Sequence, residues 1–471
     1  MNYHRFAPIL VILSLLVSLL TVPVFANPDT ETVEVETAAF EAIDDFSVAG
    51  TSALLYEMNS GTILYAQNIH DRVYPASLTK VMTCMLALEH GSLTDMVTVS
   101  EAAIEAVAPD VRTDTVQAGE VLSLEDLLYY VMLSSSNEGC NVVAEYVAGS
   151  IEDFVTMMND RAAEIGCTDT HFANPHGLHD DNHYTTAYDL MLITREALKN
   201  IEFETICTAI EHEISATNLQ NARTLHTTNY LTTTYQSYRY YYAPARGVKT
   251  GYTDMAGRCL ISTAANDDLR LLSVVTGCNT TAADDGTGEY IMGNFTETVK
   301  LFEYGFQHFE FATVLSSAVP IAEVPVENGS QSSVVIAPVQ DTSVILPSGY
   351  DAEKITTEIT LYGGHSIQAP LKAGDAVGLI SVYYDGDLIS ESDITPITDV
   401  ASGSAVYQTE EELSASQNTA SGNNIFAWKI LLVPIILFIV GYVGYYIYSN
   451  VTRRRRRRKR KKATQKRSVR K

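Results

Sequence analysis

Basic side chains are scarce over most of this chain. Its 471 residues carry 31 Lys and Arg against 57 Asp and Glu, a formal net charge of −26. Fourteen of the 31 basic residues crowd into 453–471, where no acid occurs, and one more, Arg5, stands near the start. Residues 27–452 therefore hold 16 basic residues against all 57 acidic ones, a balance of −41. A surface of that sign repels phosphate backbones, which excludes a general nucleic-acid binder. Cysteine is also sparse. The six (Cys84, Cys140, Cys167, Cys207, Cys259 and Cys278) never fall in a C-x-x-C spacing, which excludes the usual redox and metal pairs. Cys84, Cys140 and Cys259 lie in apolar runs and are predicted to be small buried thiols. His176, His179 and His183 lie close in sequence, but read as loop packing rather than a metal site, so neither metal nor cofactor is expected. No arginine occurs between Arg270 and Arg453.

The two ends carry what the body lacks. His4 and Arg5 precede an apolar run from Ile9 to Leu20, and Val24-Phe25-Ala26 is a small-residue cleavage site, so 1–26 reads as a secretory signal segment. Residues 27–46 form an acidic, polar lead-in. Near the other end, Ile430 to Tyr448 is long enough to span a bilayer, with Trp428 and Lys429 at one margin and tyrosines at the other. The unbroken run Arg453 to Arg458 follows. After a membrane span such a run reads as a cytoplasmic stop held on anionic lipid. The predicted order is a 427–449 transmembrane helix, a basic cytoplasmic tail at 450–471, and everything between leader and span outside the cell.

Between these ends the pattern is α/β (α+β). Ser52 to Met58 and Thr62 to Ala66 read as two strands around Asn59-Ser60-Gly61. Helices are predicted after Ser77, over Leu127–Leu133 behind the cap Ser123, and over Glu138–Val147, Ile151–Ile165 and Thr186–Leu198. Strands return at Gly247, Arg258–Ala265 and Leu269–Thr276, and a closing amphipathic helix is expected over Glu289–Phe306. Strands at both ends with helices between them imply one antiparallel sheet, flanked by helices and closed by distant parts of the chain. That places a catalytic domain at 47–306. A small all-β domain is predicted at 307–399 and a Ser/Ala/Asn-rich linker at 400–426.

Three short islands carry chemistry. Ser77 and Lys80 stand three apart at the mouth of an apolar helix, so their side chains share a face. Burial disfavours an ammonium and leaves a neutral amine able to take a serine proton. Ser135-Ser136-Asn137 offers a hydroxyl for proton relay and an amide that can both donate and accept. Lys249-Thr250-Gly251 gives a cation and a hydroxyl for a carboxylate, and its glycine lets substrate approach the backbone. Tyr238 and Tyr240 to Tyr242 precede this last island and read either as the cleft rim or as an exposed aromatic loop.

In this order and on an exported chain, the islands resemble the S-x-x-K, S-x-N and K-T-G set of penicillin-binding proteins and serine β-lactamases. More narrowly they resemble the low-molecular-mass D-alanyl-D-alanine carboxypeptidases. The matching text is Tyr74 to Lys80, Gly119-Glu120 with Leu127-Leu128, Ser135 to Glu138, Asn174 to Leu178, His183 with Ala187 to Leu190, and Val248 to Gly257, over about 50–306. The resemblance implies that Ser77 is the acylated nucleophile and Lys80 its general base. It implies that Ser135 relays protons, Asn137 holds the peptide, and Lys249, Thr250 and Gly251 bind substrate at its carboxylate end. The backbone N–H groups of Ser77 and Tyr252 would form the oxyanion hole. The implied activity is removal of the terminal D-alanine from peptidoglycan stem pentapeptides, with β-lactam antibiotics as inhibitors. The rival readings are a DD-endopeptidase or β-lactamase on the same fold, or a non-catalytic penicillin-binding wall scaffold. The glutamate motif by which class A β-lactamases position water is missing between Asn137 and Lys249. Asn294 stands where many relatives carry a carboxylate-binding arginine, which leaves Lys249, Thr250 and Arg258 for that task.

Overall fold

A computed structural model describes residues 46–235, 238–283 and 289–403. The expected signal segment, most of the acidic lead-in, nearly all of the linker, the membrane span and the basic tail lie outside the described residues. Among the described residues no helix is long and apolar enough to cross a membrane.

The chain opens with the hairpin β1 (Ser52–Glu57) and β2 (Thr62–Gln67), then helix α1 (Lys80–His90). Strand β3 (Met96–Thr98), helix α2 (Glu101–Glu105) and strand β4 (Val121–Ser123) lead to α3 (Leu124–Met132). Helices α4 (Asn137–Ala148), α5 (Ile151–Ile165), α6 (Ala187–Ala197) and α7 (Ile201–Thr208) follow. A hairpin of β5 (Glu211–Ile214) and β6 (Arg223–His226) precedes β7 (Ala245–Thr253), β8 (Gly257–Ala265) and β9 (Arg270–Cys278). The short pair β10 (Thr280–Ala282) and β11 (Tyr290–Met292) then leads into α8 (Gly293–His308).

The main sheet is antiparallel, in the order β2-β1-β9-β8-β7. Its centre joins the two ends of the domain, Leu54 lying opposite Val274. Side chains alternate across each strand, and the two faces build separate cores. Leu54, Tyr56, Cys259, Ile261, Leu272 and Val274 pack with α1, α3, α4 and α6. Ala53, Leu55, Leu260, Leu271 and Val275 pack with Phe295, Leu301 and Phe302 of α8. Helix starts follow their caps: Ser123, Ser136, Ser150 and Thr186 each accept a backbone N–H from the first turn.

The closing helix begins at Gly293, not Glu289. Tyr290 to Met292 are drawn into strand pairing with Thr280 to Ala282, which delays the helix by one turn. The β5–β6 hairpin was not visible in the sequence. Thr217, Gln220 and Arg223 all donate to the buried carboxylate of Glu120, which pins this segment in place from a distant part of the chain.

Beyond α8 the described residues are β-rich, with one 3-10 turn at Ala352–Lys354. Strand β12 (Phe309–Leu315) pairs with β15 (Thr342–Pro347). Strands β16 (Ile355–Leu361), β18 (Gly378–Tyr384), β19 (Asp387–Pro396) and β14 (Ser333–Pro338) pair in that order, all antiparallel. Among the described residues a second compact unit gathers 324–334, 366–372 and 398–403. Within it β13 (Ala322–Glu327) meets β17 (Ile367–Gln368) in parallel, Val326 opposite Ile367.

Candidate active site

Ser77 sits in a tight 3-10 turn, Ala76–Thr79, that feeds directly into α1. The lysine one turn on is wholly buried, and its Nζ makes three contacts: Ser77 Oγ at 2.9 Å, Asn137 Oδ1 at 2.9 Å and the His176 carbonyl at 2.6 Å. The last two partners can only accept. A neutral amine has two hydrogens and one lone pair, so its hydrogens go to Asn137 and His176 and the lone pair faces the Ser77 hydroxyl. Burial lowers the Lys80 pKa, which favours that neutral form.

The turn is braced from behind. Thr79 Oγ1 donates to the Ala76 carbonyl at 2.8 Å and lies 2.8 Å from His183 Nε2. His183 Nδ1 accepts the Ala173 N–H at 3.0 Å, so the ring proton belongs on Nε2 and points at Thr79. Burial pushes the His183 pKa down to about 4 and that of His176 down to about 3. Gly177 has φ +86, and a Cβ there would lie 1.8 Å from the Ala76 carbonyl oxygen. The 173–178 loop therefore fits against the nucleophile turn only with glycine at that position, and the fit delivers the His176 carbonyl to Lys80.

Of the three serines after α3, Ser136 turns inward. Its Oγ caps α4 by accepting the Gly139 N–H and bonds Thr115. Ser135, at φ +58, lines the same pocket as Ser77. The Asn137 amide is committed on both sides, to Lys80 and, through Nδ2, to the Val111 carbonyl at 2.9 Å. Buried Glu138 accepts from the Thr113 N–H at 2.7 Å and clamps this neighbouring loop.

Strand β7 forms the opposite wall. Thr250 and Tyr252 face the pocket, on the α8 side of the sheet. Lys249 faces the other way: it is 1% exposed and its Nζ donates to the Thr250 carbonyl at 3.0 Å. Burial lowers its pKa strongly, and Lys80 lowers it further. A Cβ on Gly251 would sit 3.2 Å from Ala76 Cβ and 3.3 Å from the Ser77 nitrogen, so this strand passes hard against the nucleophile turn. The pocket between the walls has a volume of about 270 Å³. The structure thus gathers Ser77, Ser135, Thr250, Gly251 and Tyr252 around one cavity, with Lys80 and Asn137 bonded behind it and Lys249 on the far face of the strand.

One expectation is not met, and two residues of the pocket were missed. Tyr238 and Tyr240 to Tyr242 do not rim this pocket: Tyr240 packs on Phe295, Tyr242 bonds Glu303, and Tyr238 and Tyr241 are exposed elsewhere. Tyr230 lines the pocket instead, and Thr228 places its hydroxyl 2.6 Å from that of Thr250. Neither carried a local signal, because a loop brings them in from 20 residues upstream. Among the described residues all six cysteines are free thiols, and five of them are buried.

A family model described as D-alanyl-D-alanine carboxypeptidase matches residues 36–280, and one described as penicillin-binding protein 5, C-terminal domain, matches 309–408. The chain is 30% identical to the D-alanyl-D-alanine carboxypeptidase DacA of Haemophilus influenzae, covering 75% of this chain and 86% of that one. It is 29% identical to DacF of Bacillus subtilis, covering 74% and 85% respectively. The crystal structure of penicillin binding protein 5 from Haemophilus influenzae superposes with a TM-score of 0.60 at 29% identity, over 76% of this chain and all of that one.

Proposed function

Because the chain belongs to the D-alanyl-D-alanine carboxypeptidase family, its reaction is serine-type cleavage of a D-Ala–D-Ala bond in peptidoglycan, and we propose how its own residues perform it. Ser77 Oγ attacks the carbonyl carbon of the penultimate D-alanine while its proton passes to neutral Lys80. The carbonyl oxygen becomes an oxyanion held by the backbone N–H groups of Ser77 and Tyr252; the support is the close approach of the strand at Gly251 to the Ser77 nitrogen. The C–N bond then breaks, and the departing amine receives the proton from Lys80 through Ser135. Water attacks the Ser77 ester by the same route in reverse, returning the proton to Ser77. Thr250 meets the substrate's carboxylate end, and Asn137 holds the peptide by exchanging its bond to Val111 for one to substrate.

The observation that carries this reading is the Lys80 Nζ–Ser77 Oγ contact of 2.9 Å inside a buried cluster where the amine's other partners only accept. Labelled penicillin should acylate the wild type and not Ser77→Ala. The adduct should persist for minutes or longer, because no glutamate motif is there to drive its hydrolysis, while D-alanine is released steadily from a pentapeptide. Equal labelling of the two proteins would remove Ser77 from its role, and rapid penicillin turnover without D-alanine release would favour a β-lactamase.

The same proposal places the enzyme on the cell membrane with its catalytic domain outside, anchored by 427–449 and held by the basic tail on lipid. The support is the leader at one end and the arginine run at the other. Protease added to intact protoplasts should remove the β-rich domain and spare a C-terminal tag; loss of the tag would reverse the orientation.

A further inference from the structure

The pocket must hold the free carboxylate of the departing D-alanine, and Lys249, buried on the Lys80 side of its strand, is not among the residues that line it. Among the described residues lining the pocket, Arg258 is the one charged side chain. It lies directly across the β7–β8 hairpin from Tyr252, so Arg258, Tyr252 and Thr250 share one face of the sheet. The guanidinium is held from two sides. Its Nε donates to Thr280 Oγ1 at 2.6 Å, and its carbon lies 5.0 Å from the centre of the Tyr252 ring. Among the described residues those contacts use one of its five donors and leave both terminal amino groups for a ligand.

The opposite wall shows what does not take the anion. Asn294 is 3% exposed, its Nδ2 donates to the Cys259 carbonyl at 3.3 Å, and its Oδ1 has no partner among the described residues. As a neutral amide tied through one N–H to the Cys259 carbonyl, it brings no charge to an anion. Thr228 and Thr250, with hydroxyls 2.6 Å apart, supply one or two neutral donors beside Arg258.

We propose that Arg258 is the specificity residue of this enzyme: clamped by Thr280 and Tyr252, it receives the substrate's terminal carboxylate, with the Thr228–Thr250 hydroxyl pair completing the receptor. This rests on the carboxypeptidase reading above and adds to it the group that makes a free C-terminus a requirement.

The test compares two acyl donors carrying the same diacetyl-lysyl-D-alanyl group. One ends in D-alanine with a free carboxylate; the other is a neutral activated ester whose leaving group has none. A charge-assisted hydrogen bond contributes roughly ten- to a hundredfold in rate. Arg258→Ala should therefore lose that much kcat/KM on the peptide and less than about threefold on the ester. Arg258→Lys, which keeps the charge but not the fork, should fall between. Asn294→Arg introduced into Arg258→Ala should recover part of the loss, on the peptide alone. Equal losses on both donors would make Arg258 a mere support of the hairpin, and no loss on either would remove it from the site; both results overturn the proposal. The carboxypeptidase reading is tested separately in the same experiment, since it fails only if wild-type protein releases no D-alanine.

Discussion

Replacing His183 with glutamine should change how the protein responds to acid, in a direction and amount that burial sets. The imidazole is 1% exposed and its pKa is lowered from 6.5 to about 4, first by desolvation, with nearby Asp180 opposing. The unfolded chain takes up this proton near 6.5, whereas the folded chain refuses it until about 4. Between those values the unfolded state binds more protons, so stability present above the window is lost as pH falls through it. At about pH 5 the single site costs about 2 kcal/mol, and at about pH 7.5 almost nothing. The figure is governed by the unfolded value, because the folded ring is already neutral at that pH. Glutamine does not titrate and can still donate to Thr79. Urea unfolding of both proteins at the two pH values gives the difference directly. The wild-type advantage should shrink, or turn into a deficit, by about 2 kcal/mol on acidification. A difference that stays constant with pH, or that grows in acid, would refute the claim that this ring is held neutral behind the nucleophile turn.

Two other perturbations address the same machinery. Gly177→Ala puts a Cβ into the Ala76 carbonyl from a left-handed backbone; it should cost roughly 2–3 kcal/mol of stability and slow penicillin acylation, both measurable on one sample. Acylation of the wild type should rise with pH through the lowered Lys80 pKa and level off below the 10.5 of an ordinary lysine, since only the neutral amine accepts the Ser77 proton. A rise continuing unchanged beyond that value would point to a different base.

Much of this protein was legible before any coordinates. Ser77 and Lys80 are one helical turn apart, so local geometry alone brings them together. The strands at 52–66 and 257–278 announce themselves by apolar runs around Asn/Gly and Asn/Asp turns, and one helix cap is written in Ser123. The arginine gap after Arg270 was likewise a plain fact of the chain. The rest depends on contacts between distant residues. That Ser136 is a cap while Ser135 faces the pocket follows from Thr115 and the sign of φ, not from three adjacent serines. That Lys249 sits behind its strand while Thr250 lines the pocket follows from which face of the sheet meets α1 and which meets α8. His183, Gly177 and Thr228 reach the site through loops whose paths are fixed by packing against the Ser77 turn or β7, and Arg258 by its register opposite Tyr252. Sequence spacing determines neighbours within a turn or a hairpin; which side of the sheet they face, and what closes over them, is decided only when the two ends of the domain pair at its centre.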